Sequence, residues 1–257
     1  MKIFVLLFTL AITIPTTLFP QDTLVFYYDK DWNEIPNKEV AVYYRKAFEG
    51  SNKAWIANDY FMNNQLQMSG TYKSKKLKTE HGSFVYYHEN GKMKSEGKRI
   101  NGDFVGDWTY YYEDGEIKSK GTLVASLAEG IWEYWYETGE KKAKGEYIHG
   151  EKVGVWNYWY PNGQIRLVET YIKGELSSVT AYYKNGKTSY EGGFSKGNKH
   201  GKWIFWNVDG RVFFKGSYRN GHQVGEWTRY FPEGEMKLLY ADGVPKGKVL
   251  GGVILSQ

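Results

Sequence analysis

Between Gly82 and Lys248 one pattern of 23–24 residues recurs seven times. Its leading segment reads Gly82-Ser-Phe-Val-Tyr-Tyr, Gly106-Asp-Trp-Thr-Tyr-Tyr, Gly130-Ile-Trp-Glu-Tyr-Trp and Gly154-Val-Trp-Asn-Tyr-Trp. Ser178-Val-Thr-Ala-Tyr-Tyr, Gly201-Lys-Trp-Ile-Phe-Trp and Gly225-Glu-Trp-Thr-Arg-Tyr complete the series. A period this short means stacked supersecondary units, none of which buries its apolar face alone. The starts are 24 residues apart except for one step of 23, from Ser178 to Gly201.

Each unit reads as a β-hairpin. In the unit that starts at Gly106, Trp108, Tyr110 and Tyr112 alternate with Thr109 and Tyr111, the period of a strand. Asp114-Gly115 breaks the run, because glycine supplies the positive φ a tight turn needs. A second strand follows, with an apolar slot at Ile117 that holds Met93, Ile165, Val212 and Met236 elsewhere, and Lys141 or Thr188 in two copies. Each unit then closes with a glycine loop such as Asn101-Gly102 to Gly106. Strands are expected near 107–112, 116–123, 131–136, 140–147, 155–160, 164–171, 202–206, 211–218 and 226–231. The short step is assigned to a one-residue deletion at the turn before Asn185-Gly186, with Thr180 standing where other units have Trp or Phe.

The pattern Gly-x-Trp-x-Tyr-Tyr-x-x-x-Gly-x-Ile/Met-x-x-x-Gly resembles the MORN repeat, and specifically its bacterial variant, which includes YwqK-like proteins carrying an antitoxin label. The resemblance covers roughly Gly82 to Lys248, and Asp59 to Tyr72 matches the second half of one more unit. It implies an all-β fold, an elongated antiparallel array of stacked hairpins, and it implies no catalytic residues. The label implies a toxin-sequestering or immunity role.

Around the repeats the chain divides into residues 1–21, an atypical cap at 22–56, a divergent first repeat at 57–81, the seven units to 248, and a tail or cap at 249–257. Met1-Lys2, the apolar run Ile3–Ile14 and the break at Pro15 read as a secretory signal peptide. The chain is therefore expected to be exported, to a periplasm, a cell surface or the medium, with membrane association only if the signal stays uncleaved. The absence of cysteine excludes disulfides and thiolate metal sites. Lysines such as Lys92/Lys94, Lys118/Lys120 and Lys141/Lys142/Lys144 interleave with acids and read as a solvated face, so the net charge of +5 does not indicate a nucleic-acid site.

Aromatics make up 18% of the chain, and two columns of them recur. Phe84, Trp108, Trp132, Trp156, Trp203 and Trp227 fall two residues after the leading glycine, and Tyr87, Tyr111, Trp135, Trp159, Tyr183, Trp206 and Tyr230 fall five after it. Their odd separation puts them on opposite strand faces. Either both are core, or Tyr111, Trp135, Trp159, Tyr183, Trp206 and Tyr230 form a binding stripe. No metal-ligand spacing, nucleophile elbow or dinucleotide fingerprint is present, and the glycines are attributed to turns. The expected function is an exported, non-enzymatic scaffold without cofactor that binds a protein partner through its sheet surface. The alternatives are glycan or cell-wall binding by the aromatic ladder, and the antitoxin role.

Overall fold

A computed structural model of the chain describes residues 20, 22–50, 53–250 and 253–255. The expected signal peptide lies outside these apart from Pro20. The strands are β1 (Leu24–Tyr28), β2 (Glu34–Ile35), β3 (Tyr43–Glu49), β4 (Trp55–Phe61), β5 (Leu66–Tyr72), β6 (Glu80–Tyr87) and β7 (Met93–Ile100). Next come β8 (Asp103–Tyr111), β9 (Ile117–Val124), β10 (Leu127–Trp135), β11 (Lys141–Ile148), β12 (Glu151–Trp159), β13 (Ile165–Ile172) and β14 (Glu175–Tyr182). The last are β15 (Thr188–Ser195), β16 (Asn198–Trp206), β17 (Val212–Arg219), β18 (His222–Phe231), β19 (Gly234–Ala241), β20 (Val244–Leu250) and β21 (Val253–Leu255). They form one open antiparallel sheet in which, from β3 onward, each strand pairs with its neighbours in sequence. β1 lies between β2 and β3.

The segments expected to be closing loops are strand. Asp103–Val105 opens β8, and the connection before it is the two-residue turn Asn101-Gly102, with φ of 55° and 93°. Two positive φ values in succession define the hairpin turn whose twist matches the flanking strands, which is why Asn-Gly suits it. Leading glycines sit inside the strands: Gly106, Gly130, Gly154, Gly201 and Gly225 have φ between 63° and 73° and mark bulges where the register with the preceding strand breaks.

Those bulges are made for the tryptophans. Trp108, Trp132, Trp156, Trp203 and Trp227 are 0–7% exposed although the sheet is a single layer. Each indole lies flat over a mid-strand glycine of the preceding unit. A Cβ on Gly97, Gly121, Gly145, Gly192 or Gly216 would stand 2.1–2.3 Å from the next Trp ring. Each indole N–H also donates to the carbonyl just beyond that glycine, as Trp156 Nε1 does to Glu146 O at 3.1 Å and Trp132 Nε1 to Thr122 O at 3.2 Å. Ring, glycine and carbonyl join one unit to the next. One glycine per unit therefore serves close approach and not a turn.

The fifth unit corrects its sequence alignment. Val179, and not Thr180, takes the tryptophan place: it is 7% exposed and pairs with Glu169 and Gly192 as Trp132 pairs with Gly145. The missing residue is the bulge glycine, since only Ser177 is unpaired between Leu176 and Ser178 and neither serine has positive φ. With no indole to cover it, the glycine position of β13 is Glu169. Its carboxylate accepts from the Tyr158 hydroxyl at 2.7 Å and the Tyr171 hydroxyl at 2.9 Å, with Lys152 Nζ at 3.9 Å. Buried clusters centred on Phe84–Trp132 and on Val179–Trp227 lie on either side of this polar interruption.

Restoring the pattern tests that reading. Glu169→Gly, Val179→Trp and a glycine inserted after Ser177, made together, are expected to raise the urea midpoint. Val179→Trp alone is expected to lower it, because its ring meets the Glu169 side chain and overpacking a filled site destabilises. Equal midpoints for the single and the combined variants contradict the assignment.

Candidate functional site

The column five residues after the glycine lies at the strand ends, on the face opposite the buried tryptophans. Tyr111, Trp135, Trp159, Trp206 and Tyr230 are half-buried there. Lys120 Nζ sits 5.3 Å over the Trp135 ring, Lys141 5.8 Å over Trp159 and Lys215 5.2 Å over Tyr230. Lys120, Lys141 and Lys144 also converge on the Glu133 carboxylate at 3.7, 3.1 and 3.2 Å. The Tyr111 hydroxyl donates to Glu96 at 2.6 Å, and burial together with that bond pushes its pKa up to about 12. This face is already paired with itself.

Tyr183 does not belong to that column. Its hydroxyl donates to Trp206 O at 2.6 Å, as Tyr112 does to Trp135 O and Tyr136 to Trp159 O, both at 2.8 Å. Tyr182 holds the column position, pairing with Thr188 as Trp159 pairs with Ile165. The displacement follows from the deletion at Ser177: everything after it in the fifth unit sits one position earlier than a count from Ser178 suggests.

Glu133 offers a pH test of the paired face. Burial alone raises its pKa, but the hydrogen bonds and charges of Lys141 and Lys144 outweigh it and hold the carboxyl below its ordinary value. A lowered folded-state pKa means stabilisation that is complete above the unfolded pKa and lost as pH falls through the folded one. Glu133→Gln is thus expected to cost about 0.5–1 kcal/mol at neutral pH, the range for solvent-accessible pairs, with the difference closing below about pH 4. A difference that persists into acid contradicts the ion cluster.

The tryptophan face carries the concave surface. Tyr110 and Tyr134 stand between successive indoles, Tyr86 precedes the first and Tyr158 follows the third, and the rings Tyr86–Trp108–Tyr110–Trp132–Tyr134–Trp156–Tyr158 follow at 6.1–6.5 Å. Small residues oppose these tyrosines on the paired strands: Ser95 and Ser119 flank Tyr110, and Ser119 and Ala143 flank Tyr134. A bulky ring beside a small side chain leaves a gap, and the gap recurs with the unit. Burial raises the pKa values of Tyr110, Tyr134 and Tyr158, so each keeps its hydroxyl proton across the physiological range.

Three clefts result. One of about 740 Å³ lies between Arg45 and Lys94, one of about 320 Å³ between Lys94 and Lys118, and one of about 380 Å³ from Lys118 to Arg166. The first two share His88 and Lys94, and the second and third share Lys118 and Ser119, so the three run on as a groove. Its N-terminal end holds a buried ion pair, Arg45 Nε to Asp59 Oδ1 at 2.6 Å and Nη2 to Oδ2 at 2.8 Å, with the guanidinium 5.5 Å from the Tyr28 and Tyr72 rings. Burial raises the Asp59 pKa against the pull of Arg45.

Reading the sequence as a solvated lysine face missed the cations of this groove. Lys94, Lys118, Lys142 and Arg166 each follow the apolar slot of the second strand, at intervals of 24 residues. That regularity was the available signal. The next two units have Ser189 and Phe213 there, which ends the row. Among the described residues no cluster of His, Asp or Glu is arranged to hold a metal ion.

The sequence model of the MORN repeat variant matches residues 80–101, 104–124, 128–149 and 152–173. Four consecutive units match the MORN repeat variant. The matched segments end at or just before the two-residue turns at Asn101, Ala125, His149 and Lys173, so the MORN unit is one hairpin, β6–β7 through β12–β13. These four repeats are also the ones that carry Lys94, Lys118, Lys142 and Arg166. No curated protein matches the chain. Among solved structures, a chain of the GtfA/B complex bound to UDP and GlcNAc shows 17% identity over 43% of this chain and 22% of its own, with a TM-score of 0.21. This chain thus spans about a fifth of that one's length, and at that TM-score the likeness bears on neither fold nor ligand.

Proposed function

We propose that this protein is a non-catalytic MORN-repeat scaffold that binds an extended partner along the tryptophan face of its sheet. The supporting observation is the groove itself. It is built from the same positions in successive MORN repeats, so a linear partner meets equivalent contacts at each step and gains avidity from several weak ones. The opposite face is less suited around Trp135 and Trp159, whose rings are covered by Lys120 and Lys141, and these lysines already have Glu133 as carboxylate partner. The signal-like N-terminus supports the reading that this activity lies outside the cytoplasm.

Partner capture from the envelope fraction by the tagged protein, compared between two double variants, tests the assignment of face. Lys118→Glu/Lys142→Glu is expected to lose the proteins or glycans held by wild type, and Trp159→Ala/Trp206→Ala, at two rings that border none of the three clefts, to keep them at comparable yield per folded molecule. The reverse outcome moves the site to the opposite face. Export is tested separately by fusing residues 1–30 to a reporter active only outside the cytoplasm. An intact, silent fusion contradicts it.

A further inference from the structure

Resting on that reading of the groove, we propose its ligand class: an acidic polysaccharide with one anionic group per disaccharide, lying across the MORN repeats with its charges against Lys94, Lys118, Lys142 and Arg166. All four side chains are exposed, and among the described residues none makes an ion pair, whereas Lys120, Lys141, Lys144 and Lys237 on the sheet are all paired with carboxylates. Three of the four lie against tyrosines: Lys118 is 5.6 Å from the Tyr112 ring, Lys142 5.5 Å from Tyr136 and Arg166 5.7 Å from Tyr158.

The surroundings sharpen the charge argument. The clefts from Lys94 to Lys118 and from Lys118 to Arg166 are lined by tyrosine, tryptophan, small residues and cations, with no carboxylate in either. Lys94 also borders the first cleft, where Glu89 and Glu113 line the wall, but from Lys118 to Arg166 the cations share their cleft with no carboxylate, and such a row in a groove walled by rings is complementary to an anion. Complementarity of this kind selects partners and steers their approach more than it adds raw affinity.

Spacing separates the candidate anions. Successive cations are one repeat apart, which is two strand spacings or about 10 Å. A peptide in β conformation places a residue about every 3.3 Å and returns to the same face about every 7 Å, so its acidic side chains fall out of step with the row. A polyproline II peptide, at about 9.3 Å per turn, stays in step, and poly-glutamate is the probe that reads that alternative. Two linked pyranose rings span about one repeat step. A polymer of alternating acidic and neutral sugars therefore keeps one carboxylate per cation, while its apolar ring faces lie on the tyrosines and its hydroxyls meet their polar tips.

Calorimetric titration of the full chain with three probes tests the proposal: a hyaluronan octasaccharide, a neutral N-acetylglucosamine octamer and poly-glutamate of matched charge. The hyaluronan fragment is expected to bind most tightly, to weaken as salt rises, and to lose about tenfold or more in affinity against Lys118→Glu/Lys142→Glu while far-ultraviolet circular dichroism stays unchanged. Lys118→Arg/Lys142→Arg is expected to retain binding. Equal binding of the neutral octamer overturns the role of charge, tighter binding of poly-glutamate makes the ligand an acidic peptide, and hyaluronan binding that survives charge reversal lies elsewhere on the molecule. Partner capture that still depends on Lys118 and Lys142, with no preference for hyaluronan, overturns the polysaccharide and leaves the groove as the binding face. Independence of both from these lysines removes both readings.

Discussion

Trp156→Ala is expected to destabilise the protein by about 3–5 kcal/mol, the cost of deleting a large aromatic from a packed site. The side chain is 1% exposed, lies between Tyr134 and Tyr158 at 6.2 Å from each ring, and donates to Glu146 O at 3.1 Å. Its loss opens a cavity and leaves a bulge carbonyl without its donor. Val179→Ala, at the equivalent position of the fifth unit, removes far less volume and is expected to cost roughly 2 kcal/mol. Thr180→Ala, on the opposite face, stays within about 1 kcal/mol. Urea denaturation followed by circular dichroism ranks the three. A Thr180 effect as large as that of Trp156 contradicts both the core assignment and the alignment of the fifth unit.

The second large effect comes from the glycine beneath. Gly145→Val is expected to cost at least about 1–3 kcal/mol, since even its first carbon falls 2.1 Å from Trp156 Cδ2. The indole has little room to yield: it is hydrogen-bonded at one edge and walled by Tyr147 at 4.9 Å. Valine is otherwise favoured in strands, so intrinsic propensity points the other way. A neutral or stabilising Gly145→Val in the same denaturation assay contradicts the close approach.

These effects mark where the sequence was legible and where it was not. The period, the hairpins, the Asn-Gly and Asp-Gly turns and the burial of the tryptophan column all follow from residue pattern, because each is a local signal repeated many times. The first strand of each hairpin is expected four residues late, at 107 where β8 begins at Asp103, since the bulge at Gly106 breaks the two-residue alternation by which strands are recognised, whereas the second strands fall within one residue of their expected starts. Gly121 and Gly145 fall inside the expected strands 116–123 and 140–147, but the attribution of the glycines to turns gives them no role there; what they and Gly97 accommodate is a ring from another unit, 11 residues on. The fifth unit was anchored on Ser178 as a stand-in for glycine. Anchoring on Asn185-Gly186 brings Tyr183 under Tyr160 and Val179 under Trp156, but only strand pairing decides between the two.

The site was the least legible part. An aromatic at the fifth position of every unit is conspicuous, yet whether a ring is open or covered depends on the lysine that register places over it, as Lys120 is placed over Trp135. The groove cations have no distinguishing residue type, and they separate from the other lysines only when the clefts they border are in view.

The lock between units is tested most directly by a double-mutant cycle on Gly145 and Trp156. If the indole of one repeat seats on the glycine of the one before, Gly145→Ala destabilises the wild-type chain and costs almost nothing in the Trp156→Ala background, because the added methyl then occupies vacated space. The coupling free energy is expected to approach the full cost of Gly145→Ala, about 1–3 kcal/mol. Additive losses, with Gly145→Ala equally costly in both backgrounds, contradict the seat.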